Sequence, residues 1–382
     1  MKYKLKDIFD LQMGKTPSRN NTEYWNTKEH KWISIADLTK TGKYISETKE
    51  CLSDCAIDDS GIKVIPANTV VMSFKLSIGK TAITAEDMYS NEAIMAFHDK
   101  HVAEILPEYI YYMFKYKNWD EGSNKAVMGK TLNKATLSEV EIDICSLEEQ
   151  REIVKILDKI MTVLGSRETE LSLLDDLIKA RFVEMFGDPN DNPKGYSKKQ
   201  LKDTCRVITG NTPSRAVSEY YGEHIEWIKT DNIVSGLLNP TTATESLSEK
   251  GMAVSRTVES GAILMVCIAG SIASIGRVCV TDRKVSFNQQ INAIVPSDYN
   301  ILFLYVMLQI SKEYLADEIN MALKGILSKS KLEEKTFYVP PIELQEQFAA
   351  FVEQTDKSKV VVQKALDEAQ TLFDSLMQEY FG

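Results

Sequence analysis

The sequence has few of the residues that mark metal sites and disulfide frameworks. Its 382 residues include six cysteines, none in CxxC spacing, and only four histidines, so neither a zinc site nor a set of disulfides is indicated. The longest apolar run, ILFLYVMLQI at 301–310, is about half the length that crosses a bilayer. The opening stretch MKYKLKDIFD has no apolar signal region. We therefore expect a cytoplasmic protein that is not associated with a membrane.

Catalytic motifs are missing as well. The sequence contains no Ser-His-Asp order, no HExxH and no GxSxG. The glycine-spaced stretch AGSIASIG at 269–276 lacks the GKS or GKT ending of a phosphate-binding loop. There is no Asn-Pro-Pro-Tyr-like segment, which adenine methyltransferases use to hold a flipped base, and no nuclease-like cluster of acids with a lysine. We predict a binding protein without catalytic residues, and with no metal or cofactor of its own.

Basic residues are fewer than acidic ones, and the acidic excess is unevenly distributed along the chain. A net charge of −10 argues at first against nucleic acid, which favours basic surfaces. However, residues 1–145 carry 19 Lys and Arg against 21 Asp and Glu, and residues 192–339 carry 17 against 15. The acidic excess lies in residues 146–187 and 340–382. The two large segments are therefore free to present basic loops.

What the chain does contain is one segment twice, half its length apart. GKTPSRNNTEYW at 14–25 returns as GNTPSRAVSEYY at 210–221. Further pairs follow in the same order, with offsets between 194 and 197: Leu5-Lys6-Asp7 with Leu201-Lys202-Asp203, Trp32 with Trp227, Ile78-Gly79-Lys80 with Ile275-Gly276-Arg277, Asn91 with Asn288, Leu147-x-Glu-Gln150 with Leu344-x-Glu-Gln347, and Phe186-Gly187 with Phe381-Gly382. This period is too long for a solenoid, so each copy is predicted to be a domain-sized unit.

The predicted secondary structure changes from strand to helix along each copy. Short strand-like runs broken by Gly, Asn and Pro come first, and a helical stretch with alternating four- and three-residue apolar spacing follows. Eight of ten seam positions are apolar in each stretch, which is the heptad pattern of a helix that packs on another helix. The seam positions are Ile153, Leu157, Ile160, Leu164, Arg167, Leu171, Leu174, Ile178, Arg181 and Met185, then Phe348, Val352, Thr355, Lys359, Val362, Leu366, Ala369, Phe373, Leu376 and Tyr380.

These patterns predict an α+β protein that is internally duplicated. Two globular α/β domains would be separated by two long antiparallel helices, which form a coiled-coil-like spacer. The predicted boundaries are a first domain at 1–145, a first helix at 146–187, a linker with the second domain at 188–339, and a second helix at 340–382.

The duplicated globules, the matched helices and the repeated Thr-Pro-Ser and Ile-Gly-Lys/Arg motifs resemble a known family. This organisation is similar to that of the DNA-specificity subunit of type I restriction–modification enzymes, over essentially the whole chain. The resemblance implies that each globule is a target recognition domain that reads one half of a split DNA site. It implies a non-catalytic subunit that binds double-stranded DNA and two adenine-methyltransferase subunits, and that two restriction/translocase subunits join this assembly. S-adenosylmethionine, ATP and Mg²⁺ would then be bound by the partners, not by this chain.

Three alternatives to that function follow from the sequence. The chain could serve a methylation-only system without a restriction subunit. It could be a self-contained nuclease–methyltransferase fusion, which the missing catalytic motifs disfavour. It could be a coiled-coil adaptor without a DNA function, which would leave the two globules and their polar loops unexplained.

The repeated opening segment allows two interpretations. Thr16 and Thr212 suit helix N-caps, followed by proline at the first helical position and preceded by a glycine turn. Arg19 and Arg215 could in addition reach a DNA phosphate. Lys80 and Arg277 follow a glycine after a strand at matched positions. We expect such shared cations to contact phosphate, because a position common to both copies cannot distinguish two half-sites.

Candidate base-reading residues lie in SNKAVMGKTLNKATL at 123–137 and NMALKGILSKSKL at 320–332. Both segments are rich in Lys, Ser, Thr and Asn, whose donors suit phosphates and base edges. A plain solvated loop is the competing interpretation for any single lysine. The candidates are Lys125, Lys130, Thr131, Asn133 and Lys134 in the first copy, and Lys324, Ser328, Lys329, Ser330 and Lys331 in the second.

Overall fold

The computed structural model describes the chain except for residues 26, 120–123, 127–128, 318 and 320–324, and gives the backbone alone at 124–126 and 129–131. Two compact units emerge from the contacts between residues. Unit 1 comprises Met1–Ser166 together with Leu366–Gly382, and unit 2 comprises Arg167–Ala365.

Unit 1 is built around the mixed sheet β2-β9-β6-β7-β4, with the smaller sheets β5-β3-β8, β1-β12 and β10-β11 beside it. Its strands are β1 (Lys2–Lys4), β2 (Phe9–Met13), β3 (His30–Ile33), β4 (Tyr44–Ile45), β5 (Glu50–Leu52), β6 (Val70–Ser73), β7 (Thr81–Thr84), β8 (Tyr89–Ser90), β9 (Ile94–Asp99), β10 (Asn124–Ala126), β11 (Gly129–Thr131) and β12 (Glu141–Asp143). Its helices are α1 (Leu5–Ile8), α2 (Ile35–Lys40), α3 (Asp54–Ser60), α4 (Pro107–Tyr116), α5 (Lys134–Ser138) and the first part of α6 (Leu147–Phe186).

Unit 2 repeats this plan with the sheets β14-β22-β18-β20, β16-β15-β21-β17, β13-β24 and β19-β23. Its strands are β13 (Lys198–Gln200), β14 (Cys205–Thr209), β15 (Tyr221–Ile228), β16 (Ser246–Leu247), β17 (Thr257–Val258), β18 (Ile263–Val266), β19 (Ile268–Ala269), β20 (Val278–Val280), β21 (Val285–Phe287), β22 (Ile291–Pro296), β23 (Gly325–Ile326) and β24 (Thr336–Tyr338). Its helices are the rest of α6 with α7 (Leu201–Thr204), α8 (Glu249–Val254), α9 (Ile301–Ile310), α10 (Lys312–Ala316), α11 (Lys329–Glu334) and most of α12 (Ile342–Phe381).

The two units share strand pairing as well as strand order. In unit 1, β3 pairs antiparallel with β5 and parallel with β8, and in unit 2, β15 pairs antiparallel with β16 and parallel with β21. Trp32 and Trp227 lie on the equivalent strands of these two sheets and are buried. The internal duplication predicted from the sequence is therefore confirmed in the fold.

The long helices α6 and α12 each contain 40 residues. All twenty predicted seam positions are buried or half-buried, because the apolar stripe of each helix faces a hydrophobic core. In unit 2 the two helices run antiparallel: the rings of Phe182 and Phe348 lie 5.4 Å apart, and Lys359 contacts Asp175 further along. In unit 1, Leu157 and Leu164 of α6 share a core with Phe373 and Met377 of α12. The prediction of two long packed helices is confirmed.

One matched motif needs correction at the start of these helices. The amide of Gln150 donates to the carbonyls of Glu104 and Cys145, and its oxygen accepts from the Leu106 N–H. Gln345 makes the equivalent contacts, donating to Pro340 and accepting from the Asn300 N–H at 2.9 Å. Both side chains are fully buried, whereas Gln347 is exposed. The structural partner of Gln150 is therefore Gln345, and the alignment of the Leu-x-Glu-Gln motifs was wrong by two residues.

None of the helices in the described ranges is long and apolar enough to span a membrane.

Candidate nucleic-acid interface

The repeated opening segment, which begins at Gly14 and Gly210, holds neighbouring loops together. Its threonines do not cap helices. Residues 14–18 and 210–214 are irregular backbone. The Thr16 hydroxyl donates to the Glu92 carboxylate, and the Thr212 hydroxyl donates to the Gln289 side-chain oxygen. The predicted helix starts were therefore wrong: each threonine instead ties its segment to the loop before β9 or β22.

Gly14 and Gly210 do not form turns but lie where two backbones approach closely. A Cβ atom on Gly14 would lie 2.2 Å from the Asn91 carbonyl oxygen, and one on Gly210 would lie 2.2 Å from that of Asn288. Only a residue without a side chain fits at such a distance. The glycine at the start of each repeated segment is thus explained by packing.

Arg19 and Arg215 are both engaged within their own units. The Arg19 guanidinium lies 3.7 Å from the centre of the Trp25 ring and pairs with Glu50. The Arg215 guanidinium lies 4.5 Å from the Tyr221 ring and forms an ion pair of 2.7 Å with Glu245. A guanidinium that is stacked and paired in this way stabilises its loop. Contact of these arginines with phosphate remains a prediction.

A tight hairpin between β6 and β7 presents Lys80 in unit 1. The buried Ser73 hydroxyl accepts from the Lys80 N–H at 3.0 Å and donates to the Ser77 carbonyl. Gly79 has a φ of 86°, and a Cβ there would lie 2.9 Å from the ring of Trp119. The Lys80 side chain is exposed, so its charge is available to a partner.

The equivalent loop of unit 2, between β19 and β20, holds Arg277 differently. Its guanidinium donates to the carbonyl oxygens of Thr230 at 3.1 Å and Ser274 at 3.4 Å. Lys312 donates to the Ala273 carbonyl at 2.5 Å, and burial together with the neighbouring Arg277 charge lowers the pKa of Lys312. The two matched cations therefore have different surroundings. Lys80 is exposed to solvent, whereas Arg277 is half-buried and hydrogen-bonded to its own unit.

The structure joins each of these loops to the predicted base-reading segment of the same unit. The Leu132 N–H donates to the Phe74 carbonyl at 3.1 Å, and the Leu327 N–H donates to the Cys267 carbonyl at 2.8 Å. In unit 2 the contact continues as a short ladder in which Ile268 faces Ile326. Two segments that are distant in sequence thus form one surface in each unit. We name these surfaces the hairpin–loop surfaces: residues 73–80 with 132–138 in unit 1, and 266–277 with 325–334 in unit 2.

Asn133 and Ser328 occupy the same structural position. The Asn133 side-chain oxygen accepts from the Thr136 N–H at 2.8 Å and caps α5, and the Ser328 hydroxyl accepts from the Lys331 N–H at 3.3 Å and caps α11. These contacts explain why an Asn and a Ser stand there. They use the side-chain oxygen, and a base-reading role of either residue remains a prediction.

The remaining candidates surround these caps. Lys134 is exposed at the start of α5, and Lys329 pairs with Glu333 at 3.5 Å within α11. The Ser330 hydroxyl lies 3.1 Å from that of Ser328, and Lys331 is the third residue of α11. Lys324 and the side chains of Lys125, Lys130 and Thr131 lie outside the described residues, so their roles also stay predictions.

Three cysteines are buried in unit 2. Burial raises the pKa of the Cys205, Cys267 and Cys279 thiols to about 12, so these thiols are poor nucleophiles. Within the ranges that the structure describes, no group of three or more His, Cys, Asp or Glu residues could hold a metal ion.

Sequence reasoning missed two apolar side chains at the tips of the hairpin–loop surfaces. Leu76 is 71% exposed with a φ of 63°, and Ile272 is 49% exposed. The matched motifs do not pair these two residues, because the 197-residue offset between Ile78 and Ile275 places Leu76 opposite Ala273. Apolar side chains also differ from the charged and polar residues that the sequence suggests for DNA contacts.

Comparisons with known proteins agree with this geometry. The family described as type I restriction modification DNA specificity domain matches residues 1–172 and 193–369. The type I restriction enzyme MjaIX specificity subunit of Methanocaldococcus jannaschii is 26% identical, over 98% of this chain and 90% of its own length. The EcoR124I/EcoR124II specificity subunit of Escherichia coli is 29% identical over 41% of each chain.

Solved structures show the same fold. The type I restriction–modification S subunit from M. genitalium superposes with a TM-score of 0.59 at 14% identity, covering 100% of this chain and 96% of that chain. A chain from a structural description of complex assembly and conformational transition in the type I R-M system also gives a TM-score of 0.59, at 17% identity, and covers 97% of that chain. The family match over both halves shows that the chain belongs to the type I restriction–modification DNA specificity family.

Proposed function

We propose that this chain recognises a bipartite double-stranded DNA site, with one hairpin–loop surface reading each half. The observation that carries this proposal is the repeated junction between a hairpin and a polar loop, made by equivalent backbone hydrogen bonds in both units. The backbone contacts are common to the two units, whereas the side chains on the two surfaces differ. Such a pair of surfaces suits two different half-sites.

The polar and basic side chains of these surfaces support contact with DNA. Lys80 and Lys134 are exposed cations in unit 1, and Lys329 stands beside Ser330 in unit 2. Lysine and hydroxyl donors bind phosphate oxygens and base edges. We assign the shared cations Lys80 and Arg277 to phosphate contacts, and the diverged polar residues of the loops to base contacts.

The helices would dock partner subunits. In unit 2, Leu173 and Leu177 of α6 and Val361 of α12 are about half exposed or more, and in unit 1 Val163 and Leu372 are exposed as well. Leu173 and Leu177 stand four residues apart and share one face of α6, and a contiguous exposed apolar patch marks a protein interface. Because each unit carries its own set, we propose that two adenine-methyltransferase subunits bind, and that two restriction/translocase subunits complete the restriction enzyme.

Catalysis would then reside in the partners. S-adenosylmethionine would be bound by the methyltransferase subunits, and ATP with Mg²⁺ by the restriction/translocase subunits. This chain would position them on DNA. A methylation-only system, without a restriction subunit, is the second candidate, and the presence or absence of cleavage by the assembled complex separates the two.

Exchange of one recognition domain tests the proposal. Residues 1–145 are replaced by the equivalent residues of a family member, the chain is produced with its methyltransferase subunits, and methylated DNA is sequenced. One half of the methylated site should change and the other half should stay the same. Deletion of the gene should abolish this methylation, and the purified chain alone should methylate nothing. A change in both halves would contradict independent reading by the two units.

A further inference from the structure

Leu76 combines two unfavourable features at the tip of its hairpin. Its φ of 63° lies in the left-handed region, where a residue other than Gly, Asn or Asp pays roughly 1 kcal/mol or more. Its side chain is 71% exposed, so no packing within the protein offsets that strain. A glycine or asparagine would fit this backbone better. The position therefore has a side chain that the fold does not require.

Hydrogen bonds hold the backbone of the hairpin on both sides of this leucine. Ser73 is fully buried, and its hydroxyl bridges both arms of the turn through the Lys80 N–H and the Ser77 carbonyl. The Gly79 N–H closes the turn on the Ser73 carbonyl at 2.9 Å. A loop whose backbone is held in this way loses little backbone conformational entropy when its tip enters a binding partner.

Unit 2 places an apolar side chain at the equivalent tip by a different loop. Ile272 lies on a short 3-10 turn, Ile272–Ser274, and is 49% exposed. The loop is fixed by Lys312 on the Ala273 carbonyl and by the Gly276 N–H on the Val266 carbonyl. Ile326, on the strand beside it, is 53% exposed. An exposed apolar tip is thus common to both units although the loops differ in length and hydrogen bonding.

Cations accompany both tips. Lys75 precedes Leu76, and the exposed Lys80 follows four residues later. In unit 2, Arg277 and Lys312 adjoin the loop that carries Ile272. An apolar side chain between cations matches a DNA duplex, in which phosphates flank the stacked bases. A purely apolar protein surface would leave the exposed charge of Lys80 without a partner.

On the basis of the proposed DNA function, we infer that Leu76 and Ile272 are wedges that insert between stacked base pairs, one in each half-site. Insertion of an apolar side chain unstacks a base step and bends the duplex by about 20–90°. In unit 1, Lys75 and Lys80 beside the wedge then reach phosphates of the bent duplex. Each unit would recognise its half-site partly through the ease with which one base step opens.

The test uses the full chain in complex with its methyltransferase subunits and a duplex that contains the methylated site. Bending is measured by energy transfer between dyes on the duplex ends, and permanganate reactivity locates unstacked thymines. Leu76→Asn is the main variant, because asparagine tolerates the left-handed backbone and the fold should persist. Its affinity for this duplex should fall about tenfold and its binding to unrelated DNA less than about twofold, with a smaller bend. Ile272→Asn should do the same in the other half, and Leu76→Met should restore the behaviour of the parent.

Val102→Asn is the matched control. Val102 is 58% exposed in unit 1, and it follows the end of β9 that lies opposite the hairpin, because Ser73 pairs with Ile94 at the other end of that strand. This variant should bind and bend DNA like the parent. If Leu76→Asn leaves both affinity and bending unchanged, the wedge assignment is wrong. If it blocks assembly with the methyltransferase subunits, the tip is a protein contact and the assignment is again wrong. Absence of site-specific binding by the parent complex would instead contradict the proposed function.

Discussion

The two units use nearly the same internal contacts to hold surfaces that differ. Gln150 and Gln345 anchor the helices in the same way, since each side chain donates to a backbone carbonyl and accepts from a backbone N–H. Gly14 and Gly210 each lie so close to a neighbouring backbone that an added Cβ would be 2.2 Å from a carbonyl oxygen. At the hairpin the likeness ends, since Lys80 is exposed and Arg277 donates to two carbonyls of its own unit.

This contrast shows how the two copies of a duplicated sequence should be interpreted. Residues that are identical in both copies, such as the paired Gly, Thr, Arg and Trp, are engaged in holding the frame. Matched positions with different residues either serve one structural role by two means, as Glu92 and Gln289 do for the two threonines, or face outward. Divergence on an exposed surface is therefore the better guide to specificity.

The largest expected effect comes from filling the close backbone approach in one unit. Gly14→Ala places a methyl group 2.2 Å from a carbonyl oxygen and should destabilise unit 1 by roughly 3 kcal/mol. Gly210→Ala should do the same to unit 2. Hydrogen exchange followed by mass spectrometry checks this, because protection should fall in peptides of the altered unit and persist in the other.

Gly42→Ala is the control for this pair, since no atom lies within 4 Å of its added Cβ. It should leave exchange unchanged. Loss of protection in both units after Gly14→Ala alone would show that the two units do not fold as independently as the comparison assumes.

Features of the fold that depend on a local sequence pattern were predictable, and those that depend on tertiary contacts were not. The heptad positions predicted both long helices because one apolar stripe must be buried whatever its neighbours are. Gln150 was matched to the wrong residue because the motif was aligned by letters, and the buried hydrogen bonds that fix the register depend on tertiary structure. Thr16 was assigned to a helix start because its local sequence suits a cap, whereas its hydroxyl bonds to Glu92, 76 residues away.

For the candidate site, the composition of the sequence predicted two loop segments but not the contacts that the structure gives them. The loops at 123–137 and 320–332 were found from composition alone. Their contact with the hairpins depends on backbone hydrogen bonds between residues 58 and 60 positions apart, which leave no local pattern. Leu76 could not be distinguished from any other leucine until its exposure and its φ were known.

A smaller effect should separate the two matched cations. Lys80→Ala should weaken binding to all DNA sequences about equally and reduce the slope of log affinity against log salt by about one unit, because one phosphate contact is lost. Arg277→Ala should reduce the slope similarly and also destabilise unit 2 by about 1 kcal/mol, because its hydrogen bonds to two carbonyls are lost. Salt-dependent binding curves and urea unfolding measure the two effects. Altered sequence preference without a change in salt dependence after Lys80→Ala would refute the phosphate assignment.

The smallest effect concerns the two helix caps, where structural and base-reading roles can be separated. Aspartate caps a helix about as well as asparagine, so Asn133→Asp should change the free energy of unfolding by less than about 0.5 kcal/mol. It replaces the amide donors of Asn133 with a carboxylate, which repels phosphate and accepts hydrogen bonds only. We expect relaxed preference at one base position of the half-site read by unit 1, seen by sequencing methylated DNA, and Ser328→Asp should act on the other half-site. Asn133→Ala removes both the cap and the amide donors, so it should show the same change in base preference together with a loss of about 1 kcal/mol in stability. If Asn133→Asp leaves the methylated sequence unchanged, Asn133 serves α5 alone, and the reading of that half-site belongs to its neighbours on the same surface.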